Sequence, residues 1–273
     1  MASKSLSVLL AAIAAFLLVV EPATAAEPQP WQLGFQEAGS PVMEQVNSFH
    51  NLLLFIIIAI SLFVLALLIY VAYRFNASRS SNATRTTHNT LLEVIWTGVP
   101  VLILLIIAVP SFKLLYFQDT VAEPEMTIKA IGRQWYWSYE YPDHGNFTFD
   151  AYMLEDDELE EGQPRLLATD NEVVVPAETN IRVLITASDV LHSWAMPSLG
   201  VKTDAVPGRL NETWIHINEP GMYYGQCSEI CGVRHGFMPI AIRALPRDEF
   251  DGWVEQAREQ FAKADDGFTV ANR

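Results

Sequence analysis

Two apolar runs, each free of charged side chains, constrain this chain more than anything else in it. They are residues 52–73 and 94–112. About 20 consecutive apolar residues suffice to cross the ~30 Å hydrocarbon layer of a bilayer as a helix, so each run is long enough or nearly so. The second run contains Pro100 and Pro110, and membrane helices accept proline as a kink. The connecting stretch, residues 74–92, carries Arg74, Arg79 and Arg85 and no acid. By the positive-inside rule that loop faces the cytoplasm, and both ends of the hairpin lie on the other side. The first 26 residues agree with this topology. Lys4, the apolar run 6–20 and the small residues 23–26 read as a secretory signal with its cleavage site. Residues 27–51 then form a short outer segment, and residues 52–117 form the hairpin.

Charge divides the chain at the same place. Residues 1–116 hold 5 acids and 5 bases, whereas the chain from Phe117 onward holds 27 acids and 12 bases. An apolar, neutral anchor therefore carries a polar, acidic domain in residues 118–273. That domain has the pattern of short strands. Residues 126–141, 172–175, 181–187, 212–217, 222–226 and 237–245 are rich in Val, Ile, Tyr and Trp and read as strands. Turn residues separate them at 142–145, Asn171, 207–208 and 219–221. Many short strands predict a β-sandwich or small barrel. Residues 247–264 return to helical spacing, with Phe250, Trp253, Val254, Ala257 and Phe261 on one face. The run 154–162 is an acidic loop.

The chemistry concentrates in CSEICGVRHGFM, residues 227–238, which holds the only 2 cysteines of the chain, Cys227 and Cys231. His235 and Met238 follow within the same stretch. Two thiolates, an imidazole and a thioether suit copper better than any hard cation. A disulfide between the two cysteines competes, because the domain lies where disulfides form; so small a loop gains little from a staple, however. Zinc also competes, but has no use for a thioether. A single blue copper takes two His, one Cys and a weak Met, which leaves one thiolate over. Two copper ions bridged by both thiolates would use it. A second imidazole is then needed, and among the 6 histidines His192 is the favoured source.

Three blocks carry a family resemblance. GRQWYWSYEYP (132–142), HSWAMPSLGVKTDAVPGR (192–209) and CSEICGVRHGFMP (227–239) together resemble subunit II of the haem-copper cytochrome c oxidases of bacterial type. The resemblance implies a two-helix membrane hairpin followed by an all-β cupredoxin-like barrel with a C-terminal helix. It implies a binuclear copper centre, CuA, with Cys227 and Cys231 bridging, His192 and His235 each on one copper, Met238 as a weak ligand and Glu229 giving its backbone carbonyl. It further implies that the Glu229 carboxylate shares a magnesium or manganese ion with subunit I. Trp135 would be the electron entry point; Trp137, two residues on along a strand, would share its face. Glu140, Asp150, Asp170 and Asp189 would dock cytochrome c, whose basic surface an acidic domain attracts. Glu93 would take up protons at the cytoplasmic mouth of a pathway; it also reads as the last residue of a capping box opened by Thr90. Subunits I and III would be partners, haem and oxygen chemistry would lie in subunit I, and the location would be the bacterial inner membrane with both termini periplasmic.

Overall fold

The computed structural model describes residues 26–76, 78–79, 85–120 and 123–265. The expected signal segment lies, apart from Ala26, outside the described residues. Two long helices open the described chain. Helix α1, Pro41–Arg74, begins well before the apolar run. Ser40 caps it, its side chain accepting from the Met43 N–H at 3.0 Å, and Pro41 occupies the first turn, where its missing N–H costs nothing. Helix α2, Thr90–Asp119, contains Pro100 and Pro110. Its cap is Asn89, accepting from the Leu92 N–H at 3.1 Å. The expected capping box is therefore displaced by one residue: the better cap precedes Thr90, and Glu93 sits one position deeper in the first turn, its N–H bonded to the Asn89 carbonyl. Both helices are long and apolar enough to cross a membrane, and their apolar side chains are largely exposed.

Ten strands follow among the described residues. One sheet has the order β3-β2-β1-β5-β8 and the other β4-β10-β9-β6-β7. The first contains β1 (Met126–Arg133), β2 (Tyr136–Tyr141), β3 (Phe147–Ala151), β5 (Asn180–Ala187) and β8 (Asn211–His216). The second contains β4 (Val173–Pro176), β6 (His192–Met196), β7 (Val201–Ala205), β9 (Gly221–Cys227) and β10 (Pro239–Leu245). Each sheet mixes pairings: β1 runs parallel to β5 and β4 parallel to β10, while hairpins supply antiparallel neighbours. Strand β5 buries every second residue, Ile181, Val183, Ile185 and Ala187, as a strand with one face on a core must. These side chains meet Trp194, Met196, Ile240 and Ile242 from the other sheet in one apolar core.

The run 126–141 is two strands rather than one. It folds back at Gln134–Trp135, whose peptide bond is cis, and pairs Lys129 with Glu140 across the hairpin. Trp135 thus lies in the turn, which breaks the strand alternation expected to align it with Trp137. Helix α3, Arg247–Asp265, packs Phe250, Val254 and Ala257 into the core.

The membrane hairpin and the sandwich are joined by polar contacts. The Ser40 hydroxyl donates to the Leu199 carbonyl at 2.8 Å. At the other helix, the Trp214 indole donates to the Gln118 carbonyl at 3.0 Å and stacks edge-on against Phe117.

Candidate metal centre

The sulfur and imidazole donors singled out in the sequence converge at one end of the sandwich. Cys227 closes β9, and His192 opens β6, its neighbour in the sheet; Trp194 pairs with Cys227. The loop after β9 returns Cys231, His235 and Met238 to the same place before β10 begins. Cys227 Sγ stands 3.8 Å from Cys231 Sγ and 3.8 Å from His192 Nδ1. Cys231 Sγ stands 3.5 Å from His235 Nδ1 and 3.6 Å from Met238 Sδ. The Glu229 carbonyl oxygen is 3.4 Å from Cys227 Sγ. The two sulfurs are unbonded, well beyond the ~2.05 Å of a disulfide. His192, Cys227 and Cys231 are buried and offer ligand atoms within 4.8 Å of one another, a group that could hold a metal ion.

The donor set fits a soft transition metal on its chemistry alone. Burial pushes the Cys227 thiol up, but its contacts with His192, with the backbone at Ser193 and Glu229 and with His235 outweigh this and bring it down to about 7. Burial, and then the neighbouring Cys227 thiolate, push Cys231 up. Two thiols this close resist joint ionisation unless a cation sits between them. Burial lowers the His192 imidazole, yet its bonds to Cys227 and Asp189 more than offset this and its value rises. The Asp189 Oδ1 lies 2.9 Å from His192 Nε2. A carboxylate only accepts, so Nε2 carries a proton toward Asp189, and Nδ1, which faces the sulfurs, is the nitrogen that would bind a metal.

Asp189 was expected on the docking surface. It is exposed, but its carboxylate is occupied: besides His192 it accepts the N–H groups of Gln134 and Val190, each at 2.7 Å. Burial would raise its pKa, and the His192 and backbone bonds lower it by more. Glu140 pairs with Lys129 at 2.9 Å. Asp150 accepts from the Ser138 hydroxyl, and Asp170 accepts the N–H groups of Tyr152 and Asn171 at 2.7 Å each. Glu140, Asp150 and Asp170 lie along β2, β3 and the loop before β4. Trp135 is half-buried beside the sulfur–imidazole cluster, its indole donating to the Cys231 carbonyl at 3.2 Å. Trp137 is fully buried, edge-on to His192 with ring centroids 6.0 Å apart. Glu229 is half-buried, and Glu93 lies at the far end of α2 from the cluster.

The supports of the cluster carry no signal in the sequence. Gly132 on β1 faces His192 so closely that a Cβ there would lie 2.7 Å from the imidazole Cδ2. Gln134 touches both ligand-bearing loops. The block GRQWYW stands out by its aromatic residues, and nothing in its spacing marks Gly132, which lies against the His192 ring, or Gln134, which bonds to Asp189 and Cys231.

Fold and site together define a class: a cupredoxin-like domain on a two-helix membrane hairpin, with a sulfur–imidazole cluster at one end of its sandwich. Comparison with known proteins narrows it. Residues 126–245 match the family model for the periplasmic domain of cytochrome c oxidase subunit II, and residues 28–114 match that for its transmembrane domain. The chain is 50% identical over 248 residues to a protein of Rickettsia bellii named "probable cytochrome c oxidase subunit 2", covering 91% of this chain and 92% of that one. It is 50% identical over 241 residues to cytochrome c oxidase subunit 2 of Arabidopsis thaliana, covering 86% and 92%. Among solved structures, the periplasmic domain of subunit II of cytochrome oxidase from Bradyrhizobium japonicum is 56% identical; the match covers 52% of this chain and 99% of that one, with a TM-score of 0.49. The chain belongs to the cytochrome c oxidase subunit II family.

Proposed function

We propose that this chain is the electron-accepting subunit of a cytochrome c oxidase, taking electrons from cytochrome c and passing them to haem in subunit I. The observation that carries this is the convergence of two Cys Sγ 3.8 Å apart, with two His Nδ1, the Met238 Sδ and the Glu229 carbonyl each within 3.8 Å of one of these sulfurs. Cys227 and Cys231 would bridge two coppers; His192 and His235 would each hold one; Met238 and the Glu229 carbonyl would complete the two shells. When bound, such a pair supplies a one-electron carrier with its charge shared over two metals.

The protein's own contribution is rigidity. The donors come from strand ends and a short loop fixed by backbone hydrogen bonds, such as Cys227 N–H to Met238 O at 3.2 Å. Little then rearranges when an electron arrives, which suits transfer rather than substrate chemistry. Trp135 is the entry residue: of the two tryptophans it is the one reachable from solvent, and its indole touches the Cys231 backbone. The acids of the second part of the chain attract a basic cytochrome c, with Glu140, Asp150, Asp170 and Asp189 at the contact. Oxygen reduction and most proton translocation belong to subunit I, beside subunit III. Glu229 presents its carboxylate toward subunit I and a shared magnesium or manganese ion, and Glu93 receives protons at the cytoplasmic end of α2. The chain sits in the bacterial inner membrane, with its signal removed and its copper domain and both termini periplasmic.

The test is copper stoichiometry. The full chain purified in detergent and titrated with copper is expected to take up two ions per chain and to show electron resonance with coupling to both nuclei. Saturation at one copper per chain, with an ordinary mononuclear spectrum, would refute the proposal.

A further inference from the structure

The geometry points to Gln134 as a positioning residue that ties the two halves of the metal site together. This inference rests on the copper reading above. The donors come from two separate segments. His192 belongs to the segment after β5, and Cys231 and its neighbours to the loop after β9. Gln134, at the tip of the β1–β2 hairpin, holds both. Its backbone N–H donates to Asp189 Oδ2 at 2.7 Å, and the other oxygen of that carboxylate accepts from His192 Nε2 at 2.9 Å. Its side-chain Nε2 donates to the Cys231 carbonyl at 2.8 Å.

The hairpin also presses directly on the same elements. Gly132 leaves no room for a Cβ beside the His192 ring, and at Gly232 a Cβ would lie 3.0 Å from the Trp135 ring and 3.2 Å from Gln134 Nε2. The Gly132 carbonyl accepts the Ser188 N–H at 3.1 Å, anchoring the start of the segment that leads to His192. Gln134 therefore links the His192 imidazole, through the Asp189 carboxylate, to the backbone of Cys231. With the side-chain bond removed, the Cys231 carbonyl keeps only the longer bond from the Trp135 indole, at 3.2 Å, while the Asp189–His192 segment keeps its own tie to the hairpin. The donor-to-donor distances are then held less firmly in common.

Outer groups that orient metal ligands change metal affinity by about 10- to 100-fold when removed. The test compares the full chain in detergent, loaded with copper, as wild type, as Gln134→Met, which keeps length and loses the donor, and as Gln134→Lys, which restores a donor. Copper release to a chelator is expected to be about 10-fold faster in Gln134→Met, with an altered electron resonance pattern. Gln134→Lys should lie closer to wild type, and thermal unfolding of the metal-free chains should coincide. A Gln134→Met chain with wild-type release and spectrum would overturn the inference. So would a metal-free variant destabilised as much as the loaded one, since that marks a merely structural role. A wild-type chain that takes up no copper would instead bring down the copper reading itself, and the two failures are distinct.

Discussion

The Tyr141 hydroxyl closes two hydrogen bonds at once. It donates to the Val174 carbonyl at 2.9 Å and accepts the Val174 N–H at 3.0 Å, stitching β2 to β4 across the two sheets. The side chain is fully buried, and burial pushes its pKa far up, so it stays neutral. Tyr141→Phe takes the partner from both the N–H and the C=O of the buried Val174, which costs about 1–3 kcal/mol. Urea unfolding of the full chain in detergent, followed by tryptophan fluorescence, should show that loss; an unchanged midpoint would mean water replaces the hydroxyl. At this scale the candidate ligands were legible because four of them, Cys227, Cys231, His235 and Met238, fall within one short stretch of unusual chemistry. Tyr141, Gln134 and Asp189 were not legible in these contacts, because their partners lie 33, 97 and 3 residues away and the pairing is decided by strand register. Even the near case, Asp189 with His192, depends on which way a turn aims a ring.

Among the elements, α3 shows how an end of the sandwich is closed. Phe250 is buried against Trp253, with ring centroids 6.0 Å apart, and Phe261 stacks on Phe149 at 4.8 Å. Arg258 donates to the His144 carbonyl at 2.6 Å, and the His144 ring sits edge-on to Phe250 with its Nδ1 buried and unpaired. Burial lowers the His144 value below its ordinary 6.5, and Arg258 and Arg247 lower it further against the opposing pull of Asp143 and Asp251. The neutral form is thus the one the fold prefers. Stability from this contact is complete above roughly pH 6.5 and is lost as pH falls from there through the folded value, where the unfolded chain binds more protons. His144→Gln removes that titration. The wild type should therefore lose more unfolding free energy than the variant between about pH 7.5 and about pH 5.5, and parallel curves would contradict the assignment. The helix itself was legible from its apolar spacing. Strands β3, β6 and β7 were not. Phe147–Ala151 is short and carries polar residues on its open face, and His192–Met196 is buried on both sides and shows no alternation. The early start of α1 was missed for a related reason: its first turn buries Val42 and Met43 on the sandwich, a contact that hydropathy does not register.

For the whole molecule, hydropathy and charge separated anchor from domain because the two face different solvents, and that difference is written residue by residue. The sheet order was not legible, since pairing β1 with β5 or β4 with β10 joins strands far apart in sequence. This order matters for the proposed docking of cytochrome c, because it decides which acids are free to act at a distance. Asp170 is exposed and bonded only to backbone N–H groups, which an asparagine carbonyl can also serve; its charge is the only thing Asp170→Asn removes. Asp189→Asn also removes the negative partner of His192 Nε2. The two substitutions should therefore separate by salt. Unit charges ~10 Å apart in water interact by roughly 0.4 kcal/mol, about twofold in rate, and the screening length shrinks from ~30 Å at 0.01 M to ~8 Å at 0.15 M. In the assembled oxidase, reduction by cytochrome c followed by stopped flow should be about twofold slower for Asp170→Asn at low salt and return to wild type at high salt. Asp189→Asn should keep a deficit at both, because the orientation of a ligand imidazole is not screened. If both variants recover fully at high salt, Asp189 acts only as a surface charge; if Asp170→Asn is slowed equally at both, its carboxylate does not steer the partner.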